Sequence, residues 1–245
     1  MSDNTTAVVT GASRGFGRAI ATALVAAGTN VVGVARGEQA LREAREELGD
    51  GFTPVAADAT DPDVALSLIH THRPSLLVLN AGVTPHMAPL PEQTWETFSR
   101  NWHADTHHAF EWLKAALREP LAPGSVVIVI SSGAALRGSP LSGGYAGAKA
   151  AIRLLAGYAA DEAERAGLGL RFVTLFPQLT PATGLGATGV AGYAERQGIT
   201  TEAFIDGLQP ILTPEQLAKT VTELAADPGS GREYLVTGAG PRPLP

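Results

Sequence analysis

The sequence predicts one α/β domain in which helices cover both faces of a doubly wound parallel sheet. Short aliphatic, largely β-branched runs recur at residues 7–9, 31–34, 76–79, 126–130 and 170–176. They are continuous rather than alternating, as strands covered on both faces require. Helical patterns separate them, and this alternation predicts right-handed crossovers within a parallel sheet. The length of 245 residues is typical of one large α/β domain.

The first three helices have recognisable ends. Residues 18–27 place Ile20 and Leu24 on one face, and Gly28 follows as a suitable C-terminal residue. Residues 38–48 show a similar pattern. Residues 61–71 begin with Asp61-Pro62, a favourable pair for the N-cap and first helical position.

The alternation stops after the fifth aliphatic run. The glycine-rich and proline-rich stretch at about 178–212 follows the carboxyl end of a strand, where open α/β sheets bind ligands. We interpret it as a substrate lid, with an irregular surface loop as the alternative. Thr213 and Gln216 predict a capping box at the start of the next helix. Residues 233–237 predict a last strand, and the proline-rich tail 238–245 an extended chain.

Composition narrows the possible functions. Hydrophobic residues make up 44% of the chain and charged residues 17%, enough apolar surface for a core. The formal net charge of -6, without a basic run, argues against binding to nucleic acid or to anionic membranes. The absence of cysteine excludes disulfides, thiolate metal sites and a cysteine nucleophile. With no long apolar segment and no signal-like start, the expectation is a soluble, cytoplasmic protein.

A glycine-rich turn separates the first strand from the first helix. Its sequence is TGASRGFG, residues 10–17. Glycines let backbone approach an anion, and a helix N-terminus offers free N–H groups. The turn therefore predicts a pyrophosphate site that includes Gly11, Ser13, Arg14 and Phe16.

The end of the second strand bears on cofactor choice. Sites for NAD usually place an acidic residue there, whereas sites for NADP use arginine. The chain has Ala35-Arg36 and no carboxylate. With Arg14 in the glycine turn, two guanidinium groups could bind one 2′-phosphate, so NADP(H) is preferred over NAD(H). The alternative is that both are surface arginines.

Tyr145 and Lys149 are four residues apart in a segment of good helix formers, so both lie on one helical face. A lysine beside a phenol favours the phenolate, which predicts a lowered pKa for Tyr145. Ser132 ends the predicted strand that begins at Val126, and it can donate a hydrogen bond to a substrate oxygen.

Taken together, these motifs resemble the classical short-chain dehydrogenase/reductase family over residues 10–240. The matching features are the glycine turn, Asp58, Asn80-Ala81-Gly82, Ser132 and the Tyr145-Lys149 pair at the family's spacing. The resemblance implies a Rossmann fold with a seven-stranded parallel sheet. It also implies that Tyr145 is the acid/base, that Ser132 polarises the carbonyl and that Lys149 holds the nicotinamide ribose. The further cofactor contacts that it implies are Asp58 and Ala59 at adenine, Asn80, Ala81 and Gly82 along the cofactor, and Pro177 and Thr180 near the nicotinamide.

The chain departs from the family at two positions. Where the family commonly has a catalytic asparagine, alignment on Phe110 places Asp105, and Asn101 competes for the role. Gln178 stands where the family usually has glycine, so the loop near the nicotinamide could differ in shape. Thr183 competes with Thr180 for the nicotinamide contact.

The predicted function is NADP(H)-dependent interconversion of a ketone and a secondary alcohol. Ser132, Tyr145, Lys149 and Asp105 are the candidate catalytic residues. Reduction of an imine or another polarised double bond, or a non-catalytic dinucleotide-binding role, are the alternatives. We expect a small, hydrophobic carbonyl or alcohol substrate, no metal despite His103 and His107, and a homodimer or homotetramer.

Overall fold

A computed structural model describes residues 5–119 and 121–245. One sheet holds eight strands in the order β3-β2-β1-β4-β5-β6-β7-β8, with β1 to β7 parallel and β8 antiparallel to β7. The strands are β1 (Thr6–Thr10), β2 (Asn30–Ala35), β3 (Phe52–Ala56), β4 (Leu76–Leu79), β5 (Val126–Ile130), β6 (Arg171–Pro177), β7 (Glu233–Thr237) and β8 (Gly240–Pro243).

Helices lie on both faces of this sheet. They are α1 (Gly15–Ala26), α2 (Glu38–Leu48), α3 (Pro62–His72), α4 (Trp95–Asn101), α5 (His107–Arg118), α6 (Ala134–Arg137), α7 (Gly143–Arg165), α8 (Gly184–Gln197), α9 (Thr201–Asp206) and α10 (Pro214–Ala226). A π-helical turn, Trp102–Thr106, joins α4 to α5. Within the described ranges, no helix combines the length and apolar character needed to cross a membrane.

Two hydrophobic clusters confirm the doubly wound arrangement. Side chains of α1, α2 and α10 pack against one face of the sheet, with Ile20 and Leu217 fully buried. Side chains of α3, α5 and α7 pack against the other, with Trp112 fully buried. Strands β1 to β6 each present apolar residues to both clusters, which explains the continuous aliphatic runs.

The predicted helix ends are formed as expected. The Asp61 carboxylate accepts a hydrogen bond from the backbone N–H of Asp63, and Pro62 is the first residue of α3. Thr213 and Gln216 make a reciprocal capping box at α10. Gly28 has a φ of 85°, a left-handed backbone conformation that residues other than glycine rarely adopt.

The expected strand count of seven is wrong, because the chain end forms an eighth strand. Gly240 has a φ of 110° and reverses the chain after β7, so that β8 pairs with it in antiparallel register. Pro241 and Pro243 favour an extended backbone without forbidding a strand at this position. The outer side of an edge strand has no neighbouring strand, so the N–H that proline lacks is not needed there for a sheet hydrogen bond.

The strand order reverses between β1 and β4, which are neighbours although β2 and β3 separate them in the chain. At this switch point the connections leave in opposite directions and open a crevice at the carboxyl ends of the strands. The turn at Gly11 and the segment at Asn80 follow these two strands, so the predicted cofactor residues meet in the crevice.

Candidate active site

The glycine turn has the geometry of an anion cradle. Gly11 and Gly15 have φ values of 69° and 55°. A Cβ on Gly17 would lie 2.2 Å from the carbonyl oxygen of Gly11, so a side chain cannot be accommodated there. Helix α1 begins at Gly15, and Arg14 makes no side-chain cap hydrogen bond to it. The N–H groups of the first turn can therefore bind phosphate oxygens.

Asn80 joins this turn to the end of β4. The Thr10 hydroxyl accepts hydrogen bonds from the backbone N–H groups of Asn80, at 2.9 Å, and Ala81, at 3.1 Å. The Asn80 amide donates to the Thr10 carbonyl oxygen at 3.0 Å. A Cβ on Gly11 would lie 2.8 Å from the Asn80 amide nitrogen, so glycine is required for this close approach.

At the opposite end of the crevice, Asp58 is exposed just beyond β3. Its carboxylate accepts hydrogen bonds from the backbone N–H and hydroxyl of Thr60, both at 2.9 Å. The Thr60 backbone hydrogen bond is the main reason that the pKa of Asp58 is lowered, and the charge of Arg36 adds to the effect. The carbonyl oxygen of Ala59 is held by the indole N–H of Trp112 at 2.8 Å.

Both candidate phosphate-binding arginines are exposed. In the part of the chain that the structure describes, neither Arg14 nor Arg36 forms an ion pair with a carboxylate. Both guanidinium groups are therefore available to a ligand.

Tyr145, Lys149 and Ser132 meet where α7 packs against the end of β5. The Ser131 hydroxyl donates to the Lys149 carbonyl oxygen at 2.8 Å and thereby fixes α7 against β5. The Lys149 ammonium, almost fully buried, lies 5.7 Å from the centre of the Tyr145 ring and donates to the Ile130 carbonyl oxygen at 3.2 Å. The Ser132 hydroxyl oxygen accepts from the backbone N–H of Ala134 at 3.1 Å.

The electrostatics of Tyr145 differ from the sequence-based expectation. Burial raises the pKa of the phenol and is the largest effect, so that the net shift is upward. The positive charge of Lys149 and a hydrogen bond with Ser132 both lower that pKa, as predicted, but they do not overcome burial. The phenol of the protein alone is therefore protonated at neutral pH.

The two candidates for the fourth position lie together. Asp105, in the π-helical turn, is fully buried. Its Oδ1 accepts the backbone N–H of Val83 at 2.9 Å, and its Oδ2 lies 3.4 Å from the Lys149 ammonium. The Asn101 amide donates to the Val83 carbonyl oxygen at 2.8 Å and lies 3.5 Å from Oδ1 of Asp105. Of the two side chains, that of Asp105 is within ion-pair distance of Lys149.

The loop after β6 separates the two threonine candidates. Thr180 is buried, and its hydroxyl donates to the Leu212 carbonyl oxygen at 2.6 Å. Thr183 caps α8, and its methyl group would lie 3.7 Å from a Cβ on Gly15. The structure therefore places Thr183, rather than Thr180, against the glycine turn. The Pro177 carbonyl oxygen accepts the backbone N–H of Gly133 at 2.9 Å, which holds β6 beside the Ser132 segment.

Gln178 fits this loop without a left-handed backbone. Arg73 is the only non-glycine residue with positive φ in the described ranges. The Gln178 side-chain amide donates to the Pro210 carbonyl oxygen at 2.8 Å and ties the two ends of the 178–212 segment together. Glutamine therefore changes how the segment is anchored.

The 178–212 segment contains two helices, α8 and α9, over the carboxyl edge of the sheet. A Cβ on Gly192 would lie 3.3 Å from Met87, so glycine allows α8 to pack closely there. The Tyr193 ring stacks on Phe204 with centroids 6.1 Å apart, and its hydroxyl is hydrogen-bonded to that of Ser139. Ser139, which precedes α7, was not among the predicted site residues, because no local pattern indicates a contact 54 residues away.

Three histidines, at positions 103, 107 and 108, lie close to Asp105 in the sequence. His103 and His107 are exposed, and His107 lies 3.6 Å from Glu111. Across residues 5–119 and 121–245, no group of three or more histidine, aspartate or glutamate side chains is arranged to hold a metal ion.

The chain belongs to the short-chain dehydrogenase family of oxidoreductases. The profile of that family, described as short chain dehydrogenase, matches residues 5–188. A cis-4-hydroxycyclohexanecarboxylate dehydrogenase of Sinomonas cyclohexanicum is 33% identical over 91% of this chain and 90% of the relative. The predicted family is thus confirmed.

Other similarities are shorter or more distant. A probable NADP-dependent dehydrogenase of Haemophilus influenzae is 39% identical over 35% of this chain and 36% of the relative. Versicolorin reductase 1 of Aspergillus parasiticus is 31% identical over 61% of this chain and 60% of the relative. The chain thus spans about a third to three fifths of the length of these two relatives.

A solved structure confirms the fold. NAD+-bound xylitol dehydrogenase superposes with a TM-score of 0.85, at 20% identity over 96% of this chain and 98% of that one. At this identity the likeness establishes the Rossmann-like arrangement.

Proposed function

We propose that this protein is an NADP(H)-dependent oxidoreductase that interconverts a ketone and a secondary alcohol. The observation that supports it best is the meeting of Tyr145, Ser132 and the buried Lys149 ammonium at the carboxyl end of β5. A buried ammonium is costly unless it is paired, so its position beside a phenol favours a functional role. The short-chain dehydrogenase/reductase family is expected to combine a serine, a tyrosine and a lysine in this way.

The cradle fits a nicotinamide dinucleotide. Gly11 and Gly17 leave no room for side chains, and the first turn of α1 presents free N–H groups toward the crevice. The pyrophosphate would lie at this turn, adenine near Asp58 and Ala59, and the nicotinamide between Asn80-Ala81-Gly82 and Thr183. When bound, the cofactor supplies or accepts the hydride.

The side chains handle the substrate oxygen and its proton. In reduction, Ser132 donates a hydrogen bond to the carbonyl oxygen and Tyr145 delivers a proton to it as hydride reaches the carbonyl carbon. In oxidation the same groups act in reverse. Lys149, held by Ile130, keeps a positive charge beside the phenol and can also hold the nicotinamide ribose.

The substrate pocket lies between the 178–212 segment, which we propose as the lid, and the loop that carries Met87. Apolar side chains gather there: Met87 and Leu141 would lie 3.3 and 3.7 Å from a Cβ on Gly192, next to the stacked rings of Tyr193 and Phe204. A hydrophobic or cyclic carbonyl compound fits such a lining. A relative named for a hydroxycyclohexanecarboxylate supports a cyclic alcohol as the first substrate to test.

We also propose that the protein forms a homo-oligomer through α5 and α7. Phe110 on α5, and Leu154 and Tyr158 on α7, are large apolar or aromatic side chains exposed by 44%, 56% and 61%. Such a concentration of apolar surface on neighbouring helices favours subunit contact. The test is analytical sedimentation of the Leu154→Glu variant. Its oligomer should dissociate, because the substitution places a charge in the proposed subunit contact.

The NADP preference is tested by replacing the positive charge at the end of β2 with a negative one. Exposed Arg36 can pair with a 2′-phosphate, and each charge-assisted hydrogen bond contributes about 1.5 to 3 kcal/mol, or roughly tenfold to a hundredfold in affinity. The Ala35→Asp, Arg36→Ser variant gains an acceptor for the ribose hydroxyl and repels the phosphate, so its preference should reverse.

The measurement is a fluorescence titration of NADPH and NADH binding, followed by turnover with a panel of carbonyl compounds. Arg42→Ser is the matched control, because Arg42 is an exposed arginine on α2 that already pairs with Glu38. Equal affinities for the two cofactors in the unmodified protein would reject NADP preference. Absence of turnover with either cofactor and every carbonyl would reject the proposed activity and favour imine reduction or dinucleotide binding alone.

A further inference from the structure

Alignment on Phe110 places the Asp105 carboxylate where the family commonly has a neutral asparagine. The carboxylate is completely buried, one oxygen is held by the Val83 N–H, and the other accepts no hydrogen bond within the described chain. That second oxygen lies 3.4 Å from the Lys149 ammonium. Lys149 is therefore the partner that compensates for burial of the carboxylate.

Glycines bring these groups together. A Cβ on Gly82 would lie 2.9 Å from Oδ2 of Asp105, and a Cβ on Gly144 would lie 1.9 Å from the Phe98 carbonyl oxygen. A Cβ on Gly147 would lie 3.1 Å from the Trp102 ring. α4 and the π-helical turn thus pack closely on α7, and Asp105 is held next to Lys149 on the helix that carries Tyr145.

Other groups around Tyr145 add little charge near neutral pH. His108, on α5, is buried and its pKa is lowered to about 3, mainly by burial, so its ring is neutral. Asn101 carries no charge. Tyr193, from α8, and Ser132, from the segment after β5, are neutral hydroxyl groups. Lys149 and Asp105 are therefore the opposed charges that act on the Tyr145 phenol.

We propose that Asp105 is a positioning residue whose negative charge offsets Lys149 and keeps Tyr145 protonated, which suits the site to carbonyl reduction near neutral pH. This inference rests on the proposed function of the site. In reduction, hydride enters the carbonyl carbon, the O–H bond of Tyr145 breaks, and its proton joins the new alcohol oxygen. Oxidation needs the phenolate to accept that proton, so an anion beside Tyr145 favours reduction.

The direction of each electrostatic effect agrees with this role. The Asp105 carboxylate raises the pKa of Tyr145, in the same direction as burial and against the effect of Lys149. A neutral amide at position 105 would leave Lys149 unopposed. The phenolate would then form at lower pH, as oxidation requires.

The test is Asp105→Asn, which keeps the shape of the side chain and removes its charge. In oxidation of an alcohol, the rising limb of the kcat/KM profile should move to lower pH. Below the midpoint, the oxidation rate should rise about tenfold for each pH unit of that movement. The matched control is Asp161→Asn, which removes an exposed carboxylate from α7, the helix that carries Tyr145.

A second readout does not depend on turnover. Ultraviolet difference titration of Asp105→Asn, with Asp105→Asn/Tyr145→Phe as reference, isolates ionisation of Tyr145 from that of the other three tyrosines. The same difference titration of the unmodified protein, with Tyr145→Phe as reference, measures the ionisation of Tyr145 when Asp105 is present. Asp105→Ser serves the same measurements if the asparagine variant does not fold.

The outcomes separate the inference from the proposed function. A Tyr145 midpoint that falls in the variant supports the inference, whether or not a substrate has been found. An unchanged midpoint would overturn it. A rising midpoint would also overturn it, since Asp105 would then act chiefly by keeping Lys149 in place. Lack of turnover in the unmodified protein, with a falling midpoint in the variant, would reject only the proposed reaction.

Discussion

At the scale of single residues, the proposed activity depends on a buried phenol that two opposite charges, Lys149 and Asp105, act on. Burial dominates the behaviour of Tyr145 and keeps it protonated, while the Lys149 ammonium favours its ionisation. In the proposed reaction, these opposed effects would make the group a proton donor near neutral pH and an acceptor when the pH rises. Its hydroxyl should therefore be needed for turnover but not for cofactor binding.

Tyr145→Phe tests this separation. The substitution keeps the ring and removes only the hydroxyl, so turnover should fall by about a hundredfold or more while the Kd for NADPH changes little. Steady-state rates and fluorescence titration measure the two quantities. Tyr158→Phe, an exposed tyrosine on the same helix, should leave both unchanged. Retention of near-normal turnover by Tyr145→Phe would show that another group supplies the proton.

Sequence reasoning could bring Ser132, Tyr145 and Lys149 together as candidates, because the pair on α7 has a local spacing and Ser132 follows a strand end. It could not choose between Asp105 and Asn101, which are one turn apart in a regular helix. The π-helical turn at Trp102–Thr106 alters that geometry, and the turn packs against α7, a tertiary contact that local sequence does not reveal. The link between Tyr193 and Ser139 is also a tertiary contact, which no local pattern encodes.

At the scale of elements, the close packing of α4 against α7 sets the position of the site. Phe98 in α4 and Gly144 in α7 meet backbone to backbone, one residue before Tyr145. The Thr106 hydroxyl donates to the Ala148 carbonyl oxygen at 3.3 Å and holds the π-helical turn against the same helix. Moving these helices apart should therefore disturb Tyr145, Lys149 and Asp105 together.

Gly144→Ala should destabilise the protein and reduce turnover, because the new methyl group would overlap the Phe98 carbonyl oxygen. Overpacking of this kind costs about 1 to 3 kcal/mol. Gly157→Ala is the matched control, since Gly157 is exposed in the same helix and a Cβ there meets nothing within 4 Å. That substitution should stabilise α7 by about 0.5 to 1 kcal/mol. Urea unfolding of the two variants gives the comparison, and equal effects would contradict it.

The elements that sequence predicted best have strong local signals. The predicted helix at residues 38–48 coincides with α2, and the caps of α3 and α10 are as expected. The glycine-rich 178–212 stretch looked irregular, yet Thr183 and Thr200 cap two helices within it. Glycines at 186, 189 and 192 allow close packing there, which composition alone does not distinguish from a loop. Strand β8 was missed because its pairing depends on β7.

At the scale of the whole molecule, stability depends on titratable side chains that are buried together with the apolar ones. The face covered by α3, α5 and α7 contains a buried histidine, His108, whose ring lies 6.3 Å from that of Trp112. Its Nε2 has no hydrogen-bond partner within the described residues. A neutral imidazole is tolerated there, but a protonated one would place an unpaired positive charge near Lys149.

His108 should make the stability of the folded protein depend on mildly acidic pH. Burial, reinforced by the charge of Lys149, lowers the pKa of His108 to about 3 from 6.5. The unfolded chain takes up a proton as the pH falls below about 6.5, whereas the folded protein does so only near pH 3. The free energy of unfolding is therefore highest above the unfolded pKa. It decreases as the pH falls, by about 1.5 to 2 kcal/mol between pH 6.5 and 5.

His108→Phe should abolish this part of the decrease. His103→Gln, which replaces an exposed histidine, should retain it. Urea unfolding at both pH values and at fixed protein concentration measures the difference, and the same pH dependence in His108→Phe as in the unmodified protein would show that His108 is protonated in the folded state.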